Sequence, residues 1–178
     1  MLWENHQPQI NNLHEMMVKL FGVNVSSVSG INDYTLLRLV GETGSDMSRF
    51  PSVKHFVSWC GLAPGHYQSG KYKRTKTMPC SKAGQIFKEI AQGLENSKRV
   101  AIGSFIRKLK ARRNAPVAYE AGGRKLAEAY CHALTKGIDY VEQGVKQYEE
   151  QLQKREKAVL KKLAKKHNMQ VLEKEYAA

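Results

Sequence analysis

Apolar residues recur at steps of three and four along most of the chain, which is the spacing of helices with one buried face. The first series is Ile10, Leu13, Met17 and Leu20. It predicts an amphipathic helix that ends near Gly22. Helices with one apolar face are predicted after it over about 33–40, 49–60, 83–97, 99–113 and 116–136. The helix at 49–60 has Pro51 in its first turn, and Gly122-Gly123 in the last helix allows a close helix–helix approach. The pattern therefore predicts a mainly α, compact helical domain.

A long helix is predicted from Ile138 onwards. Its apolar positions are Val141, Val145, Tyr148 and Leu152, separated by alternating steps of four and three. This spacing is typical of a coiled-coil seam, but Arg155 occupies the next inward position. We therefore expect the helix to pack against the body of the domain, with a dimer contact as the alternative.

The turn before the helix at 33–40 has the residues of a phosphate cradle. Asn32 is a natural N-cap, and Gly30 permits a tight turn in front of it. This layout resembles a helix-hairpin-helix, whose turn amides hold a DNA phosphate without reading sequence. Because Asn32 stands where that hairpin has its second glycine, a corner that only packs is the alternative.

Residues 65–77 form a polar segment of a different kind. Ser69 stands beside Gly70, and a run of cations follows at once. A serine hydroxyl on a flexible turn among positive charges suits a nucleophile aimed at a phosphodiester. The same residues also suit a solvated loop that binds phosphate and does no chemistry. The segment allows a short β-hairpin across Tyr67–Thr77, with Ser69 near its turn.

The positive charge is concentrated in one part of the chain. Of the net +13, residues 71–113 contribute 13 Lys and Arg against two acids, or +11, and the rest contributes +2. Such a local excess indicates a nucleic-acid partner. Five cations project outward from the helix at 99–113, although a helix C-terminus also favours positive charge. The predicted phosphate-binding side chains are Lys71, Lys73, Arg74, Lys76, Lys82, Arg107, Lys108, Lys110, Arg112 and Arg113.

Cysteine and histidine give no metal site. The three cysteines are far apart, none forms a Cys-x-x-Cys pair, and no two histidines have the His-x-x-x-His spacing. Cys60 and Cys131 lie on apolar helical faces and are predicted core residues. This usage suits a reducing cytoplasm, and no apolar run is long enough to cross a bilayer. We expect no membrane partner.

Several segments resemble the C-terminal half of the insertion-sequence 110/116/902 transposases. They are Leu20–Val23, Ser29–Asn32, Gly41–Ser48, Lys54–Pro64, Ser69–Lys71, Ser104–Arg107, Ala127–Tyr130 and Gly137–Gly144. Their order and spacing agree with the family from about residue 18 to residue 171. The block from Phe56 to Gly70 carries the resemblance most strongly.

The resemblance implies a DNA recombinase that inserts and excises a mobile element. In this family a RuvC-like domain with four metal-binding carboxylates precedes a coiled coil and a helical transposase domain. The serine of the last domain attacks a phosphodiester and becomes linked to the 5′ phosphate. Family members are guided by a bridge RNA, and they form multimers whose active site combines two protomers. By its place in the motif, Ser69 is the expected nucleophile.

The resemblance also divides the chain. Residues 1–24 correspond to the end of the coiled-coil region, 25–137 to the transposase domain, and 138–178 to a long basic helix and tail. Asp33, Asp46 and Asp139 are isolated, so no carboxylate set here replaces that of the family. We expect no cofactor in this chain and a divalent metal, Mg, in the missing domain. The chain is then a truncated, decayed or split transposase that acts on nucleoid DNA only with a partner.

One departure concerns a Leu-Arg pair that the family carries in the helix after Ser81. Here the matching region reads Ile86-Phe87-Lys88-Glu89, so a guanidinium is lost and Glu89 adds a negative charge. The competing hypothesis is a non-catalytic module that grips DNA or RNA through residues 71–113. A helical interaction protein whose cations only confer solubility is the third.

Overall fold

The computed structural model describes residues 2–63, 66–69, 72–75, 79–97 and 100–169, with side chains over 12–63, 79–97 and 100–169. The described residues are mainly helical, as predicted. The helices are α1 (Leu2–Phe21), α2 (Asp33–Thr43), α3 (Val53–Trp59), α4 (Lys82–Leu94), α5 (Ala101–Arg112), α6 (Ala115–Lys136) and α7 (Ile138–Lys166). Two strands, β1 (His66–Ser69) and β2 (Tyr72–Thr75), lie between α3 and α4. The chain divides into two compact units, Met1–Val141 and Glu142–Ala178.

The core of the first unit lies between α4 and α6. Phe56, Phe87 and Tyr130 are fully buried there, with ring centroids 5.7–6.3 Å apart. Gly122 and Gly123 let the helices approach, as predicted, because a Cβ at Gly122 would lie 2.8 Å from the Ile106 side chain. The central helices are therefore fixed by side-chain volume at their crossing.

One buried polar contact joins α2 to α6. The Thr43 hydroxyl lies 2.9 Å from the Leu39 carbonyl oxygen and 3.2 Å from the Tyr130 hydroxyl. Burial raises the pKa of Tyr130 to about 12, although the hydrogen bond with Thr43 acts in the opposite direction. A hydroxyl pair satisfied in this way costs the core little.

The inward face of α1 differs from the prediction at one position. Met17 is buried and Leu13 packs against the core, but Leu20 is 53% exposed. Phe21 packs against the core instead, so the buried stripe runs in steps of four through Leu13, Met17 and Phe21. The prediction for Leu20 was wrong because a step of three from Met17 leads to Leu20, whereas a step of four leads to Phe21, which is on the buried face. Ile10 lies outside the described side chains.

Helices α2 and α3 each begin directly after a polar N-cap residue. Asn32 caps α2 as predicted, because its Oδ1 accepts a hydrogen bond from the Thr35 amide at 2.8 Å. The element before the turn is a single 3-10 turn, Val25–Ser27, and α2 continues to Thr43, three residues further than predicted. Helix α3 begins after Ser52, so Pro51 precedes the cap and is not in the first turn as predicted.

Helix α7 confirms the predicted long C-terminal helix. Ile138 and Val141, at its start, pack against the core of the first unit. No described residue of α7 is fully buried, and the packing expected for its apolar series stays a prediction beyond Val141. Val145 is 37% exposed and Val159 is 57% exposed. The second unit thus presents apolar side chains on a charged helix.

Candidate nucleic-acid interface

The Ser69 segment has the backbone of two antiparallel strands. Ser69 ends β1, and its register partner is Tyr72 at the start of β2. For Ser69, Lys73 and Arg74 the structure describes the strand backbone and no side chain. Lys71 and Lys76 lie outside the described residues, as does Gly70. The backbone therefore puts Ser69 at the end of the strand pair that adjoins its connection.

The two ends of this segment are joined at one point of the body. The Cys60 carbonyl oxygen accepts hydrogen bonds from the Ser81 amide at 3.2 Å and from the Cys80 thiol at 3.4 Å. Gly61 has φ +72°, and its Cα lies so close to Pro79 that a Cβ there would overlap the Pro79 carbonyl oxygen. The chain thus leaves the body after Cys60 and returns to the same place at Ser81.

The return point is also the start of α4. The Ser81 hydroxyl accepts a hydrogen bond from the Gly84 amide at 3.1 Å and caps the helix. A Cβ at Gly84 would overlap the Cys60 carbonyl oxygen and lie 2.6 Å from the Cys80 sulfur. Burial raises the pKa of the Cys60 thiol to about 12, so Cys60 stays protonated and unreactive. We refer to Cys60, Gly61, Ser81 and Gly84 as the root of the Ser69 segment.

Lys82 lies directly after this root. It occupies the first position of α4, its side chain is 80% exposed, and its Nζ lies 3.9 Å from a Glu42 carboxylate oxygen. Such an exposed pair contributes little to stability. The Lys82 ammonium group therefore faces solvent at the N-terminal end of α4, whereas Ala83 and Gly84 of the same turn are buried.

The predicted cradle at Gly30 and Asn32 is partly occupied by the protein's own groups. Gly30 has φ +89°, which fits the predicted tight turn. The Asp33 carboxylate accepts a hydrogen bond from the Ser26 hydroxyl, and one of its oxygens lies 2.9 Å from His14 Nδ1. Burial would raise the pKa of Asp33, but these two contacts outweigh it and lower the pKa. A negative charge thus sits in the first turn of α2, where a phosphate would have to bind.

The cations of α5 do not all face outward. Arg107 Nη1 donates to the backbone carbonyls of Glu95 and Ser97, each at 2.7 Å. The prediction that Arg107 projects outward was therefore wrong, because its guanidinium satisfies carbonyls left open where α4 ends. Lys110 is also engaged, since its Nζ lies 2.7 Å from the Glu95 carboxylate.

Glu95 has a second partner in the Tyr119 hydroxyl, which donates to its carboxylate at 2.5 Å. The hydrogen bonds from Lys110 and Tyr119 lower the pKa of Glu95. The bond to Glu95 in turn raises the pKa of Lys110. This network joins α5 and α6 to the end of α4.

The remaining predicted cations of α5 are exposed. They are Lys108, Arg112 and Arg113. The Nε of Arg112 donates to the Lys108 carbonyl of its own helix at 3.4 Å, so its contact is local. Lys82 and Lys110 are exposed as well, and the Lys110 side chain is 42% exposed although it pairs with Glu95.

Both acids of the cationic stretch have basic partners. Glu89 pairs with Arg38, whose Nη1 lies 3.0 Å from its carboxylate, and Glu95 pairs with Lys110. The negative charge of Glu89, which departs from the family pattern, is thus offset by a residue of α2. Sequence reasoning missed Arg38, because a contact 51 residues away leaves no local signal.

Within residues 12–63, 79–97 and 100–169, no three His, Cys, Asp or Glu side chains come together as a metal site. Among the helices that the structure describes, none combines the length and the apolar character of a membrane span.

The comparisons with known proteins support the resemblance over one part of the chain. Residues 23–90 match the model of the Transposase IS116/IS110/IS902 family. The match includes α2, α3, both strands, Ser69 and most of α4. No curated protein and no solved structure matched the chain. The predicted resemblance to this family is confirmed over this stretch. The similarity of the later segments stays a prediction.

Proposed function

We propose that this chain, whose residues 23–90 have the pattern of the IS116/IS110/IS902 transposases, is the serine-bearing DNA-binding part of a transposase. The observation that carries the proposal is the family match, because it spans Ser69 and the root of its segment. The family suggests DNA as the partner. The net charge of +13 agrees with a polyanionic partner.

In the proposed reaction Ser69 is the nucleophile. Its oxygen loses a proton and bonds to the phosphorus of a strand, while the bond between phosphorus and the 3′ oxygen breaks. The 3′ oxygen takes up a proton, and the strand stays linked to Ser69 through its 5′ phosphate. Because one phosphate ester replaces another, the strands can be rejoined without an external energy source. A serine hydroxyl needs a base or a metal-polarised neighbour for this step.

That activating group, we propose, comes from a second domain. The described residues include no metal-binding group of three side chains, whereas the resemblance implies a carboxylate set that binds a divalent metal, Mg, in a RuvC-like domain. On this proposal the chain binds DNA by itself but links to it only when that domain is supplied.

The DNA contact is proposed for the cations that the structure leaves exposed. Lys82, Arg112 and Arg113 carry it among the described residues, while Arg107 and Lys110 serve the fold. Four further cations keep their predicted role beside Ser69, and the structure describes none of their side chains. They are Lys71, Lys73, Arg74 and Lys76. A bridge RNA would be held by the same phosphate-binding chemistry, so we propose it as a second ligand.

Salt-dependent binding tests the DNA contact. We expect the affinity for a duplex of about 20 base pairs to fall steeply with salt concentration. Replacing Lys82, Arg112 and Arg113 together by alanine should lower the slope of log K against log salt by about two to three. The control replaces Lys161, Lys162 and Lys165, which removes the same charge from α7, and should lower it by less. Equal losses would show that only net charge matters.

We also propose that two copies of the chain associate through α7. The half at 138–151 carries four acids and one lysine, and the half at 152–166 carries seven basic residues and one acid. An antiparallel pair therefore sets each acidic half against a basic half, and a parallel pair would not. Val145, Leu152 and Val159 supply apolar positions at spacings of seven residues.

A further inference from the structure

The exposed indole of Trp59 lies at the end of α3, directly before the root of the Ser69 segment. Trp59 is 42% exposed, whereas Phe56, one turn earlier on the same helix, is fully buried. A single exposed aromatic residue is ordinary on a protein surface. Trp59 is not single, because Phe50 packs against it with ring centroids 5.5 Å apart.

An arginine covers these two rings. The guanidinium carbon of Arg49 lies 4.7 Å from the Phe50 centroid and 5.4 Å from the Trp59 centroid. Asp46, the nearest acid in sequence, accepts hydrogen bonds from the Ser48 amide and hydroxyl at 2.8 and 2.9 Å. Within the part of the chain that the structure describes, Arg49 forms no ion pair. We refer to Arg49, Phe50 and Trp59 as the aromatic platform.

The rings of the platform are held in place from below. Phe56 packs under Trp59 with a centroid distance of 6.2 Å and an interplanar angle of 22°. Phe50 meets Phe56 edge-on at 5.1 Å. Because Phe56 belongs to the buried core, the indole has a fixed orientation before any ligand arrives. A preformed aromatic surface loses little side-chain entropy on binding.

We propose that the aromatic platform binds an unpaired base of single-stranded DNA. The base takes the Trp59 face that the Arg49 guanidinium covers in the free protein, and the guanidinium turns to the phosphate. Indole and guanidinium planes both stack on bases, and the guanidinium also binds phosphate. A base inside a duplex offers only its edge, so the platform selects unpaired nucleotides. The inference rests on the proposed function, since cleavage of a strand at Ser69 would leave unpaired DNA near the root of its segment.

Tryptophan fluorescence tests the proposal directly. The chain has two tryptophans, so the Trp3→Phe variant leaves Trp59 as the reporter. We expect a single-stranded oligonucleotide of about 12 nucleotides to quench this emission strongly at low salt, and a blunt duplex to quench it weakly. Quenching by single-stranded RNA but not DNA would overturn the assignment to DNA. Equal quenching by the two DNA forms would overturn selection of unpaired bases.

Substitutions supply the second measurement. Trp59→Leu should weaken single-strand binding about tenfold or more, and Trp59→Phe should retain most of it. Arg49→Gln should weaken it as well. The control is Tyr140→Leu, because Tyr140 is also exposed and also lies under a cation, Lys136 at 4.3 Å, yet should change nothing.

The outcomes separate the platform from the proposed function. Duplex binding should change less than about twofold in Trp59→Leu, because phosphate contacts made elsewhere supply it. If single-strand binding is equal in wild type and all variants, and Trp59 emission is unchanged, the platform is overturned while DNA binding stands. If no DNA binds even at low salt, the proposed function fails, and the platform fails with it.

Discussion

Gly84 in the first turn of α4 packs directly against the carbonyl oxygen of Cys60. The contact closes the root of the Ser69 segment, because Cys60 precedes that segment and Gly84 follows it. The same carbonyl oxygen accepts a hydrogen bond from the Ser81 amide. No side chain fits between the two backbones, so the closure depends on glycine at this position.

The first prediction follows from this contact. Gly84→Ala should lower the free energy of unfolding by about 1–3 kcal/mol, because its Cβ overlaps backbone and cannot be accommodated by a rotamer change. Gly93→Ala in the same helix is the control, since nothing lies within 4 Å of its added Cβ. That control should be neutral or stabilising by up to about 1 kcal/mol. Urea denaturation measures both, and equal effects would contradict the closure.

Arg107 is predicted to act on stability more than on DNA. Arg107→Ala removes two charge-assisted hydrogen bonds to the carbonyls of Glu95 and Ser97, which should cost about 2–3 kcal/mol of unfolding free energy. Arg113→Ala, at the C-cap of the same helix, should leave stability within about 0.5 kcal/mol. Thermal melts check the pair. If Arg107→Ala has the melting temperature of wild type but a lower affinity for DNA, Arg107 contacts phosphate, and the prediction is contradicted.

Stability should decline at alkaline pH. Burial raises the pKa of the Cys60 thiol from 9.0 to about 12 and that of the Tyr130 hydroxyl from 10.0 to about 12. The unfolded chain therefore releases these protons first, so their contribution is complete below pH 9 and is lost as pH rises towards 12. Tyr130→Phe should flatten part of the decline above pH 10.

The measurement for this prediction is the urea midpoint at about pH 8 and about pH 11. Tyr130→Phe also loses the contact with the Thr43 hydroxyl, so it should begin about 1 kcal/mol less stable at the lower pH. Tyr34→Phe, at a tyrosine that is 66% exposed, is the control and should keep the full alkaline decline. An unchanged pH dependence in Tyr130→Phe would refute the assignment.

Self-association through α7 is tested by the mass in solution. The chain weighs 20.1 kDa, and light scattering should find twice that mass at micromolar concentration. Leu152→Gln should shift the equilibrium to the monomer, because it places an amide in the apolar series without changing charge. Leu160→Gln, at an exposed position outside that series, should not. A wild-type monomer at all concentrations would contradict the pairing.

The sequence predicted the helices well because each one has an apolar series, and α2 also has a local start signal. That signal is Asn32, which caps α2 as predicted. Charges were predicted less well. A lysine or arginine has the same sequence signature whether it faces solvent or binds a carbonyl, so Arg107 was misplaced.

The candidate site was predictable only in its chain position. The family pattern singled out Ser69, but the root at Cys60 and Gly84 joins residues 24 positions apart and leaves no periodic signal. The aromatic platform was missed for a related reason. Phe50 precedes α3 and Trp59 ends it, so no helical spacing relates the two rings.

The most direct test of the account is a covalent-adduct experiment with DNA. The chain is mixed with the RuvC-like domain of a related transposase and with a nicked substrate that prevents release of the linked strand. We expect a denaturant-resistant protein–DNA adduct in wild type and none in Ser69→Ala, while both proteins bind the substrate equally. Adduct of equal yield in both proteins, or in neither, would contradict a nucleophilic Ser69.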